Sequence, residues 1–147
     1  MAQMATVMIQ EARARVTVGI FTQMPDVAAT APDRESAAAA LEFLAEMSPD
    51  LRGAAILGPE GEVLAASEGE PERWREDAAA LFAAADGAEE APVEQVHIAT
   101  EQGEVFAIRK AGLAAVAVTD RFALASLLHF DMRSMLRELA AGAEGGD

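Results

Sequence analysis

The 147-residue chain contains no cysteine and no tyrosine, a single tryptophan and two histidines. Without cysteine there is no disulfide, no thiolate nucleophile and no Cys-ligated metal, which fits a reducing compartment, so the expected localisation is cytoplasmic. Basic residues are also scarce: 11 Lys and Arg stand against 25 Asp and Glu, a net charge of −14. A chain this acidic is repelled by nucleic-acid phosphates and anionic bilayers, so neither nucleic acid nor membrane insertion is expected. No apolar run approaches the roughly eighteen residues of a membrane span. Glu11, Arg13 and Arg15 interrupt any signal-peptide core. Aromatics are 5% of a chain that is 52% hydrophobic, so the core is rich in alanine. Small, close-packed side chains leave little room for a ligand cavity, which argues against an enzyme.

Catalytic material is equally thin. His97 and His129 fall on different elements, neither has a second histidine four residues on, and no cysteine supplements them. There is no Gly-x-Ser-x-Gly, no Gly-x-x-x-x-Gly-Lys-Ser/Thr and no Gly-x-Gly-x-x-Gly. No catalytic residue, metal or cofactor is therefore expected, and no nucleotide bound by the chain itself.

What is present is organised around Arg52–Ser67. Two short apolar runs, Ala54–Leu57 and Val63–Ala66, flank Gly58-Pro59-Glu60-Gly61. Proline suits the first corner of a turn and glycine its exit, so the runs pair as an antiparallel hairpin. A helix precedes it, from a Ser36 N-cap to the stop at Ser48-Pro49-Asp50, with Ala37, Ala40, Leu41, Leu44, Ala45 and Met47 on one stripe and Phe43 beside it. A second helix follows from Pro71 to about Ala85, closed by Gly87. Trp74, Ala78, Leu81, Phe82 and Ala85 share its apolar face.

Three strands come next: Val93–Thr100, Val105–Lys110 and Leu113–Thr119, with turns at Gln102-Gly103 and Ala111-Gly112. The last is apolar on both faces and reads as interior. Asp120 is the expected cap of a closing helix from Arg121 to Ala140. Its stripe is Leu124, Leu127, Leu128, Met132, Met135 and Leu139, and Gly142 ends it. Residues 142–147 read as a flexible tail.

Met1–Glu35 forms an arm ahead of the 36–141 domain. Thr6–Ile9 and Val16–Phe21 are strand-like, although Met4–Arg15 reads equally as a short helix, and Pro25–Pro32 reads as a linker. The arm's order is left open between disorder, docking on the domain and pairing with a partner.

The ordered set Gly53-Ala54-Ala55-Ile56-Leu57 before Gly61, then Ala65-Ala66-Ser67, then Val116-Ala117-Val118 before the last helix, resembles the roadblock family. These are small domains of the dynein-light-chain and bacterial gliding-motility type, and the match covers Ser36–Ala140. The resemblance implies an α+β fold in α-ββ-α-βββ-α order, a five-stranded antiparallel sheet with helices on both faces. It also implies a non-enzymatic homodimer that binds, regulates or scaffolds a small Ras-like GTPase. The strand at Val93–Thr100 then lies at the sheet edge, and pairing with its own copy would place Trp74, Phe82, Val93, Val96 and Ile98 at the dimer interface. Arg73, Arg75 and Arg121 are candidate partner contacts, and Arg52, Arg73 and Arg75 candidates for a trans-acting arginine finger.

An alternative is a PAS- or profilin-like ligand-sensing module, which requires a cavity between sheet and helix. Most carboxylates belong to solvated faces, Glu89-Glu90 and the stretch from Glu68 to Asp77 among them. Asp131 is the exception: it falls within the apolar stripe of the last helix, so either the stripe is exposed there or Asp131 pairs with Arg109, Arg121 or Arg133.

Overall fold

The computed structural model describes residues 2–9, 14–21, 31–89 and 92–145. Two strands, β1 (Ala2–Ile9) and β2 (Ala14–Phe21), precede the helix α1 (Arg34–Met47), the hairpin β3 (Leu51–Leu57) and β4 (Val63–Ala66), and the helix α2 (Pro71–Glu89). The meander β5 (Gln95–Ala99), β6 (Glu104–Lys110) and β7 (Leu113–Thr119) follows, and α3 (Ala125–Gly145) ends the described chain. The sheet order is β1-β2-β5-β6-β7-β3-β4, with every pairing antiparallel. The expected five-stranded α+β sheet is thus present as β5-β6-β7-β3-β4, and β2 and β1 extend it.

Each hairpin follows from its turn chemistry. Gly61 takes φ 84° and its N–H donates to Gly58 O at 3.0 Å, the left-handed exit that glycine adopts at no steric cost. Ala111 (φ 56°) and Gly112 (φ 80°) bridge the pair Lys110–Leu113, a two-residue turn whose two positive φ angles match the twist of the flanking strands.

Alternation along the strands divides the core into two layers. One face of the sheet carries Ile56, Phe106, Ile108, Ala115 and Ala117 against α1 and α3. The other carries Leu57, Val63, Val96, Ala107 and Val116 against Ala78, Phe82 and Ala85 of α2.

Several boundaries differ from expectation. Helix α1 is capped by Asp33 rather than Ser36: its carboxylate accepts the Ser36 N–H at 2.6 Å. That hydrogen bond holds the Asp33 carboxyl below the usual carboxylate range. Helix α2 runs through Gly87 to Glu89, and α3 runs through Gly142 to Gly145. Gly142 therefore lies inside the last helix, and residues 146–147 of the expected tail lie outside the described residues.

The start of α3 is displaced too. Asp120 does not cap it, because its carboxylate accepts Arg52 Nε at 2.5 Å. Phe122 takes φ 64°, and Ala123 N–H donates to Glu104 Oε2 at 2.9 Å. A left-handed residue breaks helical continuity, so the helix begins at Ala125. The true buried stripe of α3 is Leu128, Met132, Met135, Leu136, Leu139 and Ala140, while Leu124 and Leu127 are exposed.

The expected edge strand is not an edge. β2 lies along β5 with Val16 opposite Ile98 and Val18 opposite Val96. Among the described residues of the arm, β1 and β2 dock on the domain through β5, and Met4–Ile9 is strand rather than helix. The linker reading of Pro25–Pro32 falls mostly outside the described residues.

Candidate interaction site

Trp74, Phe82, Val93, Val96 and Ile98 do converge, all within the layer between α2 and the sheet. They converge inward. Phe82, Val93 and Val96 are buried, and Trp74 and Ile98 partly so. The Trp74 indole N–H donates to Glu68 O, tying the start of α2 to the turn before it. Arg109 stacks over the Phe82 ring at 4.5 Å, donates from Nε to Val93 O at 2.7 Å, and pairs with Asp86. Asp86 also accepts the Val93 N–H at 2.8 Å. With its amide given to that side chain, Val93 stands outside β5, which starts two residues later than expected.

The outward surface of α2 is different in kind. Arg73, Glu76, Ala80, Ala83 and Gly87 fall on the line opposite the buried Ala78, Phe82 and Ala85, and all are exposed. Arg73 reaches Asp77 at 3.9 Å and Arg75 reaches Glu72 at 3.4 Å, both as exposed pairs within the helix. Such pairs hold a side chain weakly, so both guanidinium groups are available to a partner. Arg52 is engaged: besides Asp120, its Nη1 donates to Gln102 O at 3.0 Å. Arg121 stands apart from Arg73 and Arg75, on the turn before α3, with its guanidinium 4.6 Å from the Phe122 ring centroid.

Beneath the first turn of α3 lies a polar cluster that sequence reasoning missed. Glu104 is buried. His97 Nε2 lies 2.5 Å from Glu104 Oε1, and the His97 ring stacks on Phe106 at 4.4 Å. His129 is buried edge-on against Phe106 and His97, at 5.1 and 6.0 Å. Burial pushes its pKa down from 6.5 to about 4, against a hydrogen bond to the Val96 backbone that favours the charged form. Its Nε2 has no hydrogen-bond partner among the described residues. The only cue in the sequence was that Glu104 and His97 flank one tight turn, on adjacent strands. Among the described residues no three His, Cys, Asp or Glu side chains are placed to hold a metal.

Asp131 resolves as the exposed alternative. It is half-buried and lines a groove between α1 and α3, with no ion pair among the described residues. Of the suggested partners, Arg109 is held by Asp86 and Arg133 donates to Gln95 Oε1 at 2.6 Å.

Solved structures share this arrangement of sheet and helices. The gliding protein MglB of Thermus thermophilus superposes with a TM-score of 0.63 at 18% identity, over 84% of this chain and 100% of that one. Myxococcus xanthus MglB gives 0.60 at 10% identity, over 84% and 95%. The Roadblock/LC7 domain from Streptomyces avermitilis gives 0.56 at 20% identity, over 66% and 88%. The fold is that of the roadblock domain. In sequence, no family model and no curated protein matches the chain. The roadblock fold thus carries a helix with a small-residue outer line, α2, and an edge strand covered by the chain's own hairpin. No helix among the described residues is long and apolar enough to cross a membrane.

Proposed function

We propose that the chain is a non-enzymatic roadblock-type regulator or scaffold of a small Ras-like GTPase, acting as a homodimer. The observation that carries this reading is the roadblock fold combined with the outer surface of α2. A line of Ala80, Ala83 and Gly87 lets a second helix approach closely, and Arg73 and Arg75 at the start of α2 can meet an acidic or phosphate-bearing partner. With β2 on β5, the second copy packs on α2 rather than along the β5 backbone. The sensor alternative gains no support, because Phe106, Ala115 and Ala117 fill the layer where its cavity would lie.

Light scattering after size exclusion tests the dimer. The full chain should run as a dimer at tens of micromolar, and Ala83→Glu, at an exposed site, should convert it to a folded monomer. For the GTPase, immobilised chain should capture a Ras-like GTPase from native extract in one nucleotide state, and the purified pair should show an altered hydrolysis rate. A chain that hydrolyses GTP unaided, or captures the GTPase equally in both states without changing its rate, would contradict the proposal.

A further inference from the structure

The layer opposite α2 holds the largest exposed apolar side chains among the described residues. Phe43 and Met47 on α1 are 63% and 46% exposed, and Phe130 on α3 is 57% exposed. They wall a groove of about 820 Å³ between the two helices, floored by the buried Leu44, Met135 and Leu139. The apolar surface continues past the groove through Leu127 to Leu124 and Phe122, all at least half exposed. Water-exposed surface of this kind marks a binding face when it is continuous. Among the described residues every charged side chain lining the groove is acidic: Asp33 at one end, Asp131 and Glu138 along α3. Asp131 makes no ion pair among the described residues, and covering it without a partner would be costly.

We propose that this groove docks an amphipathic helix of a partner protein, with an apolar face flanked by Lys or Arg. Two packed helices leave between their ridges a trough that a third helix fills with residues at i, i+3, i+4 and i+7. Helix α1 has 14 residues and so spans about 21 Å, room for three to four turns of partner. The acidic lining selects the flanks: cations satisfy Asp33, Asp131 and Glu138, while anions are repelled. The same charge disfavours a second copy, which would set these carboxylates against a surface of net charge −14. It disfavours residues 22–30 of this chain as well, since that stretch contains Asp26 and no Lys or Arg. The site does not depend on the GTPase reading, which uses the opposite layer.

The probes are labelled peptides of about eighteen residues, long enough for five helical turns. One has Leu and Phe on a helical face with Lys and Arg flanks, one the same face with Glu flanks, and one is a scrambled control. In fluorescence anisotropy with the full chain, the basic peptide should bind at least about tenfold more tightly than the acidic one, and added salt should weaken it. Asp131→Lys with Glu138→Lys should reverse the preference. Phe43→Ser with Phe130→Ser should abolish binding while circular dichroism stays unchanged. Ala83→Glu on α2 should leave peptide affinity intact, so loss of the dimer and loss of this site are separable. Equal affinity for the two charged peptides, or none, overturns the proposal. So does self-association that disappears in the Phe43→Ser, Phe130→Ser chain, which would make a second copy the occupant.

Discussion

The two helical layers use aromatic residues in opposite ways. Under α2 the large side chains point in: Phe82 is buried beneath the Arg109 guanidinium and Trp74 is pinned to Glu68 O, leaving small and charged residues outside. On the α1–α3 side Phe106 fills the core, and Phe43, Phe122 and Phe130 remain in water. One layer presents a surface shaped for close backbone approach, the other a surface shaped to receive side chains. Amphipathic spacing separates the two, because Phe82 lies within the apolar face of α2 and Phe43 only beside that of α1.

The contrast breaks most visibly by truncation. Phe82→Ala should cost about 3–5 kcal/mol in urea denaturation, since it opens a cavity under α2. Phe43→Ser and Phe130→Ser should each shift stability by less than about 0.5 kcal/mol. Comparable losses at all three positions would mean that the outer aromatics belong to the core.

Next in size is a pH effect confined to the α3 layer. His129 is neutral when buried, with a pKa near 4, whereas the unfolded chain titrates near the ordinary 6.5. Unfolded chains therefore take up the proton first. Stability from this group is full above pH 6.5 and is lost as pH falls towards 4, by up to about 3 kcal/mol. His129→Phe should flatten the difference in stability between pH 7 and pH 4.5, and an unchanged slope would rule His129 out as its source.

A smaller loss is expected in the α2 layer. Asp86→Ala removes the acceptor shared by Arg109 and the Val93 N–H. With both side chains about one-third exposed, the cost should be about 1–2 kcal/mol, and raised salt should narrow the gap to wild type. A cost independent of salt would assign it to the Val93 amide alone. Smallest is a gain outside both layers. Ala111→Asn places Asn-Gly in the β6–β7 turn, where both φ angles are positive, and should raise stability by about 0.5–1 kcal/mol. A drop in melting temperature would show that Ala111 is held there by its packing.

The strands β3, β4, β6 and β7 and the bodies of α1 and α2 were legible because local signals agreed: Gly-Pro punctuation, alternation, and a proline where each helix could start or stop. The misread positions are those decided by partners distant in sequence. The start of α3 depends on Glu104 taking the Ala123 N–H, and Asp120 fails as a cap because Arg52 claims it. Buried Glu104 meets His97, and buried His129 packs edge-on against Phe106, a constellation with no linear spacing. Of the interaction surface, Trp74, Phe82, Val93, Val96 and Ile98 share the layer under α2, where the amphipathic face of that helix places them. Asp131 is legible as a charge on an apolar stripe, whereas the groove it lines arises only where α1 and α3 meet.

The covering of β5 by β2 has a consequence for the order of assembly. Their pairing closes a loop that contains α1, β3, β4 and α2, so its closure entropy is best met after those elements have packed. The hairpin is then the last layer to join the sheet and the first to leave. In native-state hydrogen exchange, β5 amides bonded to β2 should therefore open at lower free energy than β7 amides, which lie between β6 and β3. Equal protection at both strands would mean that hairpin and core form one cooperative unit.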